Sequence, residues 1–125
     1  MTKEAALQKF FSSFGLEAYE ENNVPSGEDA PDFPYLTYSV STGAFGDEMP
    51  MPFSLWYRGA SWKEANRKKD EISRAISAGG RILPCDGGSI WIKRGTPFAQ
   101  NMSDPADDLI KRKYINITVE YFTTD

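Results

Sequence analysis

The chain has 125 residues, of which 40% are hydrophobic and 26% are charged, and its formal net charge is −4. This length suits one domain, residues 1–125, with its own hydrophobic core, and the composition is typical of a folded globular protein. The absence of histidine and the single cysteine, Cys85, exclude histidine-based catalytic triads, an internal disulfide and a cysteine-ligated zinc cluster. The acidic balance also argues against a duplex-binding surface, which needs a dense basic face.

The N-terminal part of the chain predicts a helix, a short strand and a loop. Residues 3–14 carry apolar side chains at the spacing of one helix face, namely Leu7, Phe10, Phe11 and Phe14. Gly15 follows at the position where a left-handed residue commonly ends a helix. Residues 16–22 are a candidate first strand. Residues 23–34 contain three prolines and no periodicity, so we expect a loop there.

Two alternating segments, residues 34–41 and 51–59, predict a pair of half-buried strands. In the second segment, Phe53, Leu55 and Tyr57 form one face of the strand. The connection between the strands, residues 42–50, is far longer than the two residues that a tight hairpin needs. Its extra length must therefore have another reason.

Residues 61–77 give the clearest helix prediction. Ser61 and Glu64 have the spacing of a capping box, in which each side chain accepts a hydrogen bond from a free backbone N–H of the first turn. The stripe that follows at spacings of three and four consists of Trp62, Ala65, Ile72 and Ile76, and the aliphatic stem of Lys69 fills the position between Ala65 and Ile72. Gly79 and Gly80 predict the end of this helix.

The last third of the chain predicts a tight hairpin over residues 81–95 and a well-covered strand over residues 113–122. The hairpin turns at Asp86-Gly87-Gly88, which lies between two short apolar runs. The strand alternates without interruption and carries Ile115, Ile117, Val119 and Tyr121 on one face. Because hairpin-connected strands pair antiparallel, the sequence predicts an α+β fold: a single domain with a small, mainly antiparallel β-sheet and two main helices packed on it.

Three carboxylates within five residues, Asp104, Asp107 and Asp108, suggest a metal-dependent enzyme, because Ca²⁺ and Mg²⁺ take oxygen ligands. The segment lacks the alternating ligands and the distal glutamate of a calcium-binding loop. A capped single turn of helix explains it better, with Asp104 as the N-cap residue and a proline in the first turn. In that helix Asp107 and Asp108 would pair with Lys111 and Arg112, four residues further on.

No other segment predicts catalysis or cofactor binding. Residues 94–100 lack the second glycine and the Gly-Lys-Ser/Thr ending of a phosphate-binding loop. Asp70 and Glu71 fit a solvated helix face, and Cys85 has no base beside it in the sequence to activate the thiol. We therefore expect no catalytic, metal-binding or cofactor-binding residues and no enzymatic activity.

The aromatic residues exceed what one face of a small sheet needs. They include Tyr35, Tyr38, Trp56, Tyr57, Trp62, Trp91, Tyr114 and Phe122. They suit either a core with scattered surface rings or a second buried face that contacts other subunits, where Trp, Tyr and Arg are enriched. Stacking of nucleic-acid bases is a third possibility, but no basic groove accompanies these rings. The sequence alone leaves the first two interpretations open.

Three segments together resemble small virion proteins encoded in the head–tail gene clusters of bacteriophages and prophages of Gram-positive hosts. These segments, which span most of the chain from Phe33 onward, are FPYLTYSVSTGAFGDE, SLWYRGASWKEA and DGGSIWIKRGTPFAQNMSDPADDLIKRKYINITVEY. The resemblance is to the tail terminator proteins of long-tailed phages, which are also called tail-completion or head–tail joining proteins. It implies a small antiparallel sheet with helices against it and a structural role.

The resemblance further implies a homo-oligomeric ring, a hexamer in this family. The ring sits on the last ring of the tail tube, ends tube polymerisation and docks onto the head connector or stopper protein. Genomic DNA passes through the lumen without specific binding, which suits an acidic protein. The chain would be made in the host cytoplasm and end in the virion at the head–tail junction. No membrane partner is expected, since no apolar stretch approaches a membrane span.

A closed ring requires two different contact patches on each subunit. The resemblance and the surplus aromatics place them on the 42–50 connection, strands 51–58 and 113–122, and the segment Thr96–Met102. The predicted contact residues with a neighbouring subunit or the tail tube are Phe45, Asp47, Glu48, Met49, Trp56, Arg58, Phe98, Gln100, Asn101, Met102, Lys111 and Arg112. A neck protein of the same gene cluster, involved in head completion or the connector, is the main alternative. A cytoplasmic peptide-binding module and a metal-dependent enzyme using the three aspartates also stay open.

Overall fold

A computed structural model describes residues 1–125 and contains two helices and seven strands. The helices are α1 (Lys3–Phe11) and α2 (Lys63–Ile76), and neither is long and apolar enough to cross a membrane. The strands are β1 (Glu17–Glu20), β2 (Tyr35–Tyr38), β3 (Glu48–Pro50), β4 (Phe53–Arg58), β5 (Arg81–Cys85), β6 (Gly88–Ser103) and β7 (Ile110–Thr123). Because all seven strands belong to one sheet, the predicted α+β single-domain fold is confirmed.

The long strand β7 is the centre of the sheet. The strand order is β1-β2-β4-β7-β6-β5, and β3 pairs with the second half of β7 on the side where β4 pairs with the first half. Only β1 and β2 run parallel; all other neighbouring strands are antiparallel. The predicted strand at residues 113–122 is therefore confirmed and lies within β7.

Both helices lie on one face of the sheet, which we call the helix face. Every second residue of β7 points to this face and is buried, namely Lys113, Ile115, Ile117, Val119, Tyr121 and Thr123. Phe11 of α1 stacks on Tyr38 with 4.4 Å between ring centroids and packs against Phe53 at 5.1 Å. Burial of one large apolar side chain stabilises the fold by about 1.5–3 kcal/mol, so most of the stability comes from this face.

The first helix and the loop after it are close to their predictions. A 3₁₀ turn at Ser12–Phe14 extends α1, and Gly15 has a φ of 79°, a left-handed conformation that is easily reached without a Cβ. The loop predicted at residues 23–34 contains only a short 3₁₀ turn, Gly27–Asp29, and the last residue of another.

The helix predicted at residues 61–77 is confirmed as α2, but its capping box is wrong. Ser61 Oγ accepts a hydrogen bond from the backbone N of Lys63 at 3.1 Å, and Glu64 pairs with Arg67 at 3.2 Å instead of reaching back. Trp62 is the residue that precedes the helix, and its φ of −82° and ψ of −1° are already helical. Ser61 therefore still satisfies one free N–H of the first turn, but the return bond from Glu64 that would complete a capping box is absent.

The long connection between β2 and β4 owes its length to a strand of its own. The expected hairpin is present, since β2 and β4 pair antiparallel, but residues 48–50 form β3 on β7. Just before β3, Gly46 N donates to Tyr121 O at 2.7 Å and Tyr121 N donates to Asp47 O at 3.0 Å. These backbone contacts hold the segment against β7, so it is not a free arm in the isolated chain.

The hairpin predicted at residues 81–95 is confirmed, but its second strand continues to Ser103. Arg94 pairs with Ile117 and Ala99 with Ile115, so residues 95–98 bulge out opposite Asn116 alone. The Asn116 side-chain amide donates to Pro97 O at 2.9 Å and holds the bulge. Glycine and proline are typical of a loop, but here Gly95 and Pro97 lie in a bulge, and β6 pairs with β7 again from Ala99.

The helical turn predicted at Asp104 is wrong. Asp104 Oδ1 accepts from Ala106 N at 2.8 Å and Asp107 Oδ1 accepts from Leu109 N at 3.0 Å, so two side-chain-closed turns connect β6 to β7. Because the chain already extends as β7 from Ile110, the acids and the basic residues after them do not share a helix face. The predicted pairs Asp107–Lys111 and Asp108–Arg112 are therefore wrong.

Candidate interaction surface

No helix covers the second face of the sheet, which we call the open face. The β7 residues whose side chains point to the open face are half-buried, namely Arg112, Tyr114, Asn116, Thr118, Glu120 and Phe122. The pairing register places Trp56 of β4 beside Arg112 and Tyr35 of β2 beside Trp56 on the same face. The open face thus has aromatic rings and arginine at its surface, which is the composition enriched at protein interfaces.

Stacked rings and a guanidinium form what we call the Trp56 patch, which consists of Tyr35, Trp56, Arg112 and Tyr114. The guanidinium carbon of Arg112 lies 4.8 Å from the ring centroid of Trp56 and 5.5 Å from that of Tyr114. Trp56 also stacks on Tyr35, with 6.1 Å between centroids and 12° between planes. Cation–π contacts contribute about 0.5–1 kcal/mol at exposed sites and about 2 kcal/mol when desolvated, so a partner that buries the patch strengthens it.

Hydrogen bonds beneath the patch hold its side chains in place. Arg112 Nε donates to Ser54 Oγ at 2.9 Å, and Trp56 Nε1 donates to Thr37 Oγ1 at 2.9 Å. Ser54 is only 2% exposed although it belongs to the open face, because the patch lies over it. Arg112 makes no ion pair within the chain, so its remaining N–H groups can donate to a partner.

Two shallow clefts flank the Trp56 patch. One of about 270 Å³ lies between Trp56 and Arg112 on one side and the residues after β1, including Glu21, on the other. The second, of about 380 Å³, extends from the same two residues to Met102 and Asp104. Together they leave the ring of Trp56 and the guanidinium of Arg112 reachable from two directions.

A second patch, the Trp91 patch, lies towards the other end of β7 and consists of Phe45, Glu48, Trp91, Lys93, Glu120 and Phe122. The ring of Phe45 is 65% exposed and lies 5.7 Å from that of Phe122, measured between centroids. Lys93 Nζ lies 4.4 Å from the Trp91 ring centroid and 3.3 Å from carboxylate oxygens of both Glu48 and Glu120. In this patch the cation is therefore neutralised within the chain.

The two patches are well separated. Arg112 and Glu120 are eight residues apart on β7, which corresponds to about 26 Å along an extended strand. The Trp56 patch has an unpaired cation, whereas the Trp91 patch has a cation between two carboxylates. One face of the sheet thus offers two surfaces of different charge.

The structure brings four of the predicted contact residues together on adjoining strands. Trp56 pairs across the sheet with Arg112, and Arg112 pairs with Met102. Gln100 lies two residues before Met102 on β6 and points to the same face. Two further predicted residues, Phe45 and Glu48, lie in the Trp91 patch.

The other predicted contact residues have partners within the chain. Met49 and Phe98 pack against the core under the helices. Arg58 Nε lies 3.1 Å from Asp107 Oδ2, and Asp47 Oδ2 accepts from Ala44 N at 2.7 Å. Asp47 and Arg58 thus hold their own loops in place, and Met49 and Phe98 belong to the edge of the core.

Lys111 and Asn101 are occupied as well. The Nζ of Lys111 donates to the carbonyl of Asp108, and Asn101 accepts from the Nζ of Lys113. Lys113 is 5% exposed, donates also to Asn66 of α2, and lies 5.1 Å from the ring centroid of Trp62. Burial lowers the pKa of Lys113, and nearby Lys69 lowers it further.

The prediction of contact residues omitted Tyr35, Tyr114 and Trp91. Their alternation with buried neighbours places each on the face opposite the core, which is a signal that the sequence contains. Ser54 was also omitted, and no sequence signal shows that this small residue lies under an arginine 58 positions away. Only the register of β4 on β7 brings those two residues together.

The three aspartates of the β6–β7 connection serve the turn. Asp107 accepts from Leu109 N and pairs with Arg58, and both contacts lower the pKa of its carboxyl. Asp104 closes the turn before it. No group of three or more His, Cys, Asp or Glu side chains is arranged to hold a metal ion.

No protein-family model matches the chain, and no curated protein or solved structure matches it. The function must therefore be inferred from the open face and from the resemblance of the three sequence segments.

Proposed function

We propose that this protein is a virion structural protein of a long-tailed bacteriophage or prophage. It caps the tail tube as a ring, ends tail polymerisation and forms the interface between tail and head connector. The observation that carries the proposal is the Trp56 patch, which places stacked rings and an unpaired arginine on a sheet face without helices. Trp, Tyr and Arg are the residues that most often dominate binding energy at protein interfaces.

The two patches of the open face suit a capping ring. Besides the head-to-tail contacts between its identical subunits, such a ring must contact the tail tube and the head connector. The Trp56 and Trp91 patches differ in charge and are separated by about 26 Å. Two partners can therefore occupy them at the same time.

The sequence resemblance supports the same function. Trp56 lies in the segment SLWYRGASWKEA, and Arg112 lies in the longest segment that resembles tail terminators. The net charge of −4 suits a ring through which DNA passes, because like charge opposes adhesion to the lumen. In this account the subunits associate weakly in solution, and the tube tip selects the ring because it contacts only that form.

The proposal is tested by growing tail tubes from the tube protein encoded in the same gene cluster, with and without this chain. Electron micrographs should show shorter tubes, each with an extra ring at one end, as the concentration of the chain rises. A tube-length distribution that does not depend on the chain would contradict the proposal. Binding to the portal or connector without any effect on tubes would identify a neck protein instead.

A pair of variants shows whether the open face is responsible. Trp56→Ala with Arg112→Ala removes the centre of the patch, whereas Lys63→Ala with Arg67→Ala changes exposed residues of α2 on the other side of the sheet. We expect the first pair to abolish capping and the second to leave tube length as short as with the wild type. Circular dichroism of both variants checks that the fold is retained.

A further inference from the structure

Four rows of side chains cross the sheet from one free edge to the other. One row consists of Glu17, Tyr35, Trp56, Arg112 and Met102, on β1, β2, β4, β7 and β6. The next three rows begin at Ala18, Tyr19 and Glu20 and end at Asn101, Gln100 and Ala99. At this level the sheet has five strands, and its two edge segments have matching lengths.

Both ends of these rows lack a neighbouring strand. β1 pairs with β2 alone, and β5 covers only Gly88–Ile92 of β6, so nothing pairs with the outer side of Ala99–Ser103. The segment Ala99–Ser103 has no charged residue and no proline, the devices that commonly prevent strand addition at an edge. At the β1 edge, the side-chain amide of Gln8 donates a hydrogen bond to the carbonyl oxygen of Ala18 at 3.2 Å.

The edge at β1 is strongly acidic. Between Phe10 and Tyr57 the sequence has eight carboxylates and no lysine or arginine. The six on and after β1 make no ion pair within the chain, namely Glu17, Glu20, Glu21, Glu28, Asp29 and Asp32. This side of the molecule therefore has negative charge without compensation.

Basic residues lie on the strand next to the β6 edge. Lys111, Arg112 and Lys113 stand on β7, one strand in from Asn101–Ser103, and none of them makes an ion pair. Arg94, at the start of the bulge, is bonded only to Ser73 Oγ at 2.9 Å and lines an open concavity that has no carboxylate in its wall. Asp104 and Asp108, in the connection after this edge, also make no ion pair, but these four basic residues outnumber them. The two free edges are thus complementary in charge.

We propose that β1 of one copy of this chain adds to the Ala99–Ser103 edge of β6 in a second copy, so that one sheet continues from subunit to subunit around the ring. This inference rests on the proposed function for the ring and assigns the contact that closes it. Two β1 edges would bring glutamates together, and two β6 edges would bring the basic rows closer. The head-to-tail pairing is therefore the one that charge favours.

The topology also fixes the direction of the new pair. Following the sheet from β1 to β6, the strands run parallel once and antiparallel three times, so β6 runs opposite to β1. A copy rotated about an axis along the strands keeps this orientation, and its β1 lies antiparallel to β6. When the rows stay level, Glu17 lies opposite Met102 and Tyr19 opposite Gln100, all on the open face.

Engineered cysteines test the pairing in the full chain. In a Cys85→Ala background, Glu17→Cys with Met102→Cys places two thiols in the expected row, and Tyr19→Cys with Gln100→Cys repeats the test two residues along. Glu17→Cys with Ile82→Cys is the matched control, because Ile82 is 56% exposed on the competing edge, β5. Directly opposed residues of antiparallel strands have Cβ atoms about 4.5–5.5 Å apart, close to the separation that a disulfide spans.

Under mild oxidation, with and without tail tubes, we expect both row pairs to shift from monomer to a ladder of linked multimers that reductant collapses. The control pair should stay monomeric. Rings that cap tubes without such a ladder would overturn the edge pairing while the proposed function stands. A ladder whose linked rings fail to shorten tubes would support the edge pairing and contradict the terminator function. A ladder of equal strength in the control pair would overturn the pairing.

Discussion

The two faces of the sheet use similar residues for different purposes. On the helix face, Phe11 stacks on Tyr38 and packs against Phe53, and all three are at most 5% exposed. On the open face, Tyr35 stacks on Trp56, and Arg112 lies over the rings of Trp56 and Tyr114. These three rings stay half-exposed, with an arginine in place of a helix over them. One face of this small sheet thus supplies the core, and we propose that the other contacts partners.

Leu55 and Trp56 are neighbours on β4 whose side chains point to opposite faces of the sheet, so their variants compare the two faces directly. Leu55 faces the helices and is fully buried, so Leu55→Ala should lower the free energy of unfolding by about 2–5 kcal/mol, measured by urea denaturation. Ser54→Ala, one residue earlier on the open face, is the control, and we expect a smaller loss from it. A loss below 1 kcal/mol for Leu55→Ala would show that the core does not lie under the helices.

Trp56→Ala should reduce capping strongly and the free energy of unfolding only modestly. The lost stacking lowers the free energy of unfolding by about 1–2 kcal/mol, less than for Leu55→Ala. Because a central tryptophan of an interface contributes at least about 2 kcal/mol to binding, the concentration of chain that caps tubes should rise roughly 30-fold. Tube-length measurements over a concentration series check this value. Unchanged capping together with severe destabilisation would mean that Trp56 belongs to the core.

Lys113 is the cation buried under α2, and its replacement tests whether the helix face needs charge. Its pKa is lowered by burial, which means that folding disfavours its charged form. We expect Lys113→Met to leave the free energy of unfolding at pH 7 unchanged or to raise it by about 1 kcal/mol. A loss above 2 kcal/mol would show instead that the contacts with Asn66 and Asn101 hold α2 in place.

The last prediction concerns Tyr121 and applies only at alkaline pH. Burial raises its pKa to about 12, and its hydroxyl donates to Ser41 O at 2.7 Å. Because the folded pKa lies above the unfolded value of 10.0, this contribution to stability is complete below pH 10 and is lost as pH rises towards 12. Tyr121→Phe should remove that part of the pH dependence, measured by urea denaturation at several alkaline pH values. An identical pH profile for the variant and the wild type would contradict the assignment.

Much of the fold could be predicted because local patterns agree with it. The stripe of α1, the turn at Asp86 and the alternation of β7 each depend on residues close in sequence. β3 could not be predicted, because its three residues have no pattern of their own and their partner lies about 70 positions away. The second half of β6 was missed for a similar reason, since Gly95 and Pro97 indicate a loop unless their place opposite Asn116 is known.

The open face was partly predictable. Trp56 and Arg112 were singled out from composition and resemblance, but their contact depends on the register of β4 on β7, which no short-range pattern reveals. Asp104 and Asp107 close turns between β6 and β7, and the helix expected there was wrong because β7 begins at Ile110. The sequence around each residue thus indicated candidate surface residues, whereas the pairing of strands determined which of them are in contact.

Hydroxyl-radical footprinting of the chain on capped tail tubes shows whether the open face is the contact surface. It compares oxidation of Trp56 and Met102 on the open face with that of Trp62 beside α2, before and after capping. We predict that Trp56 and Met102 become protected on the tubes, while oxidation of Trp62 stays as in the free chain. Protection of Trp62 with unchanged oxidation of Trp56 and Met102 would contradict the account, because the helix side would then be the contact surface.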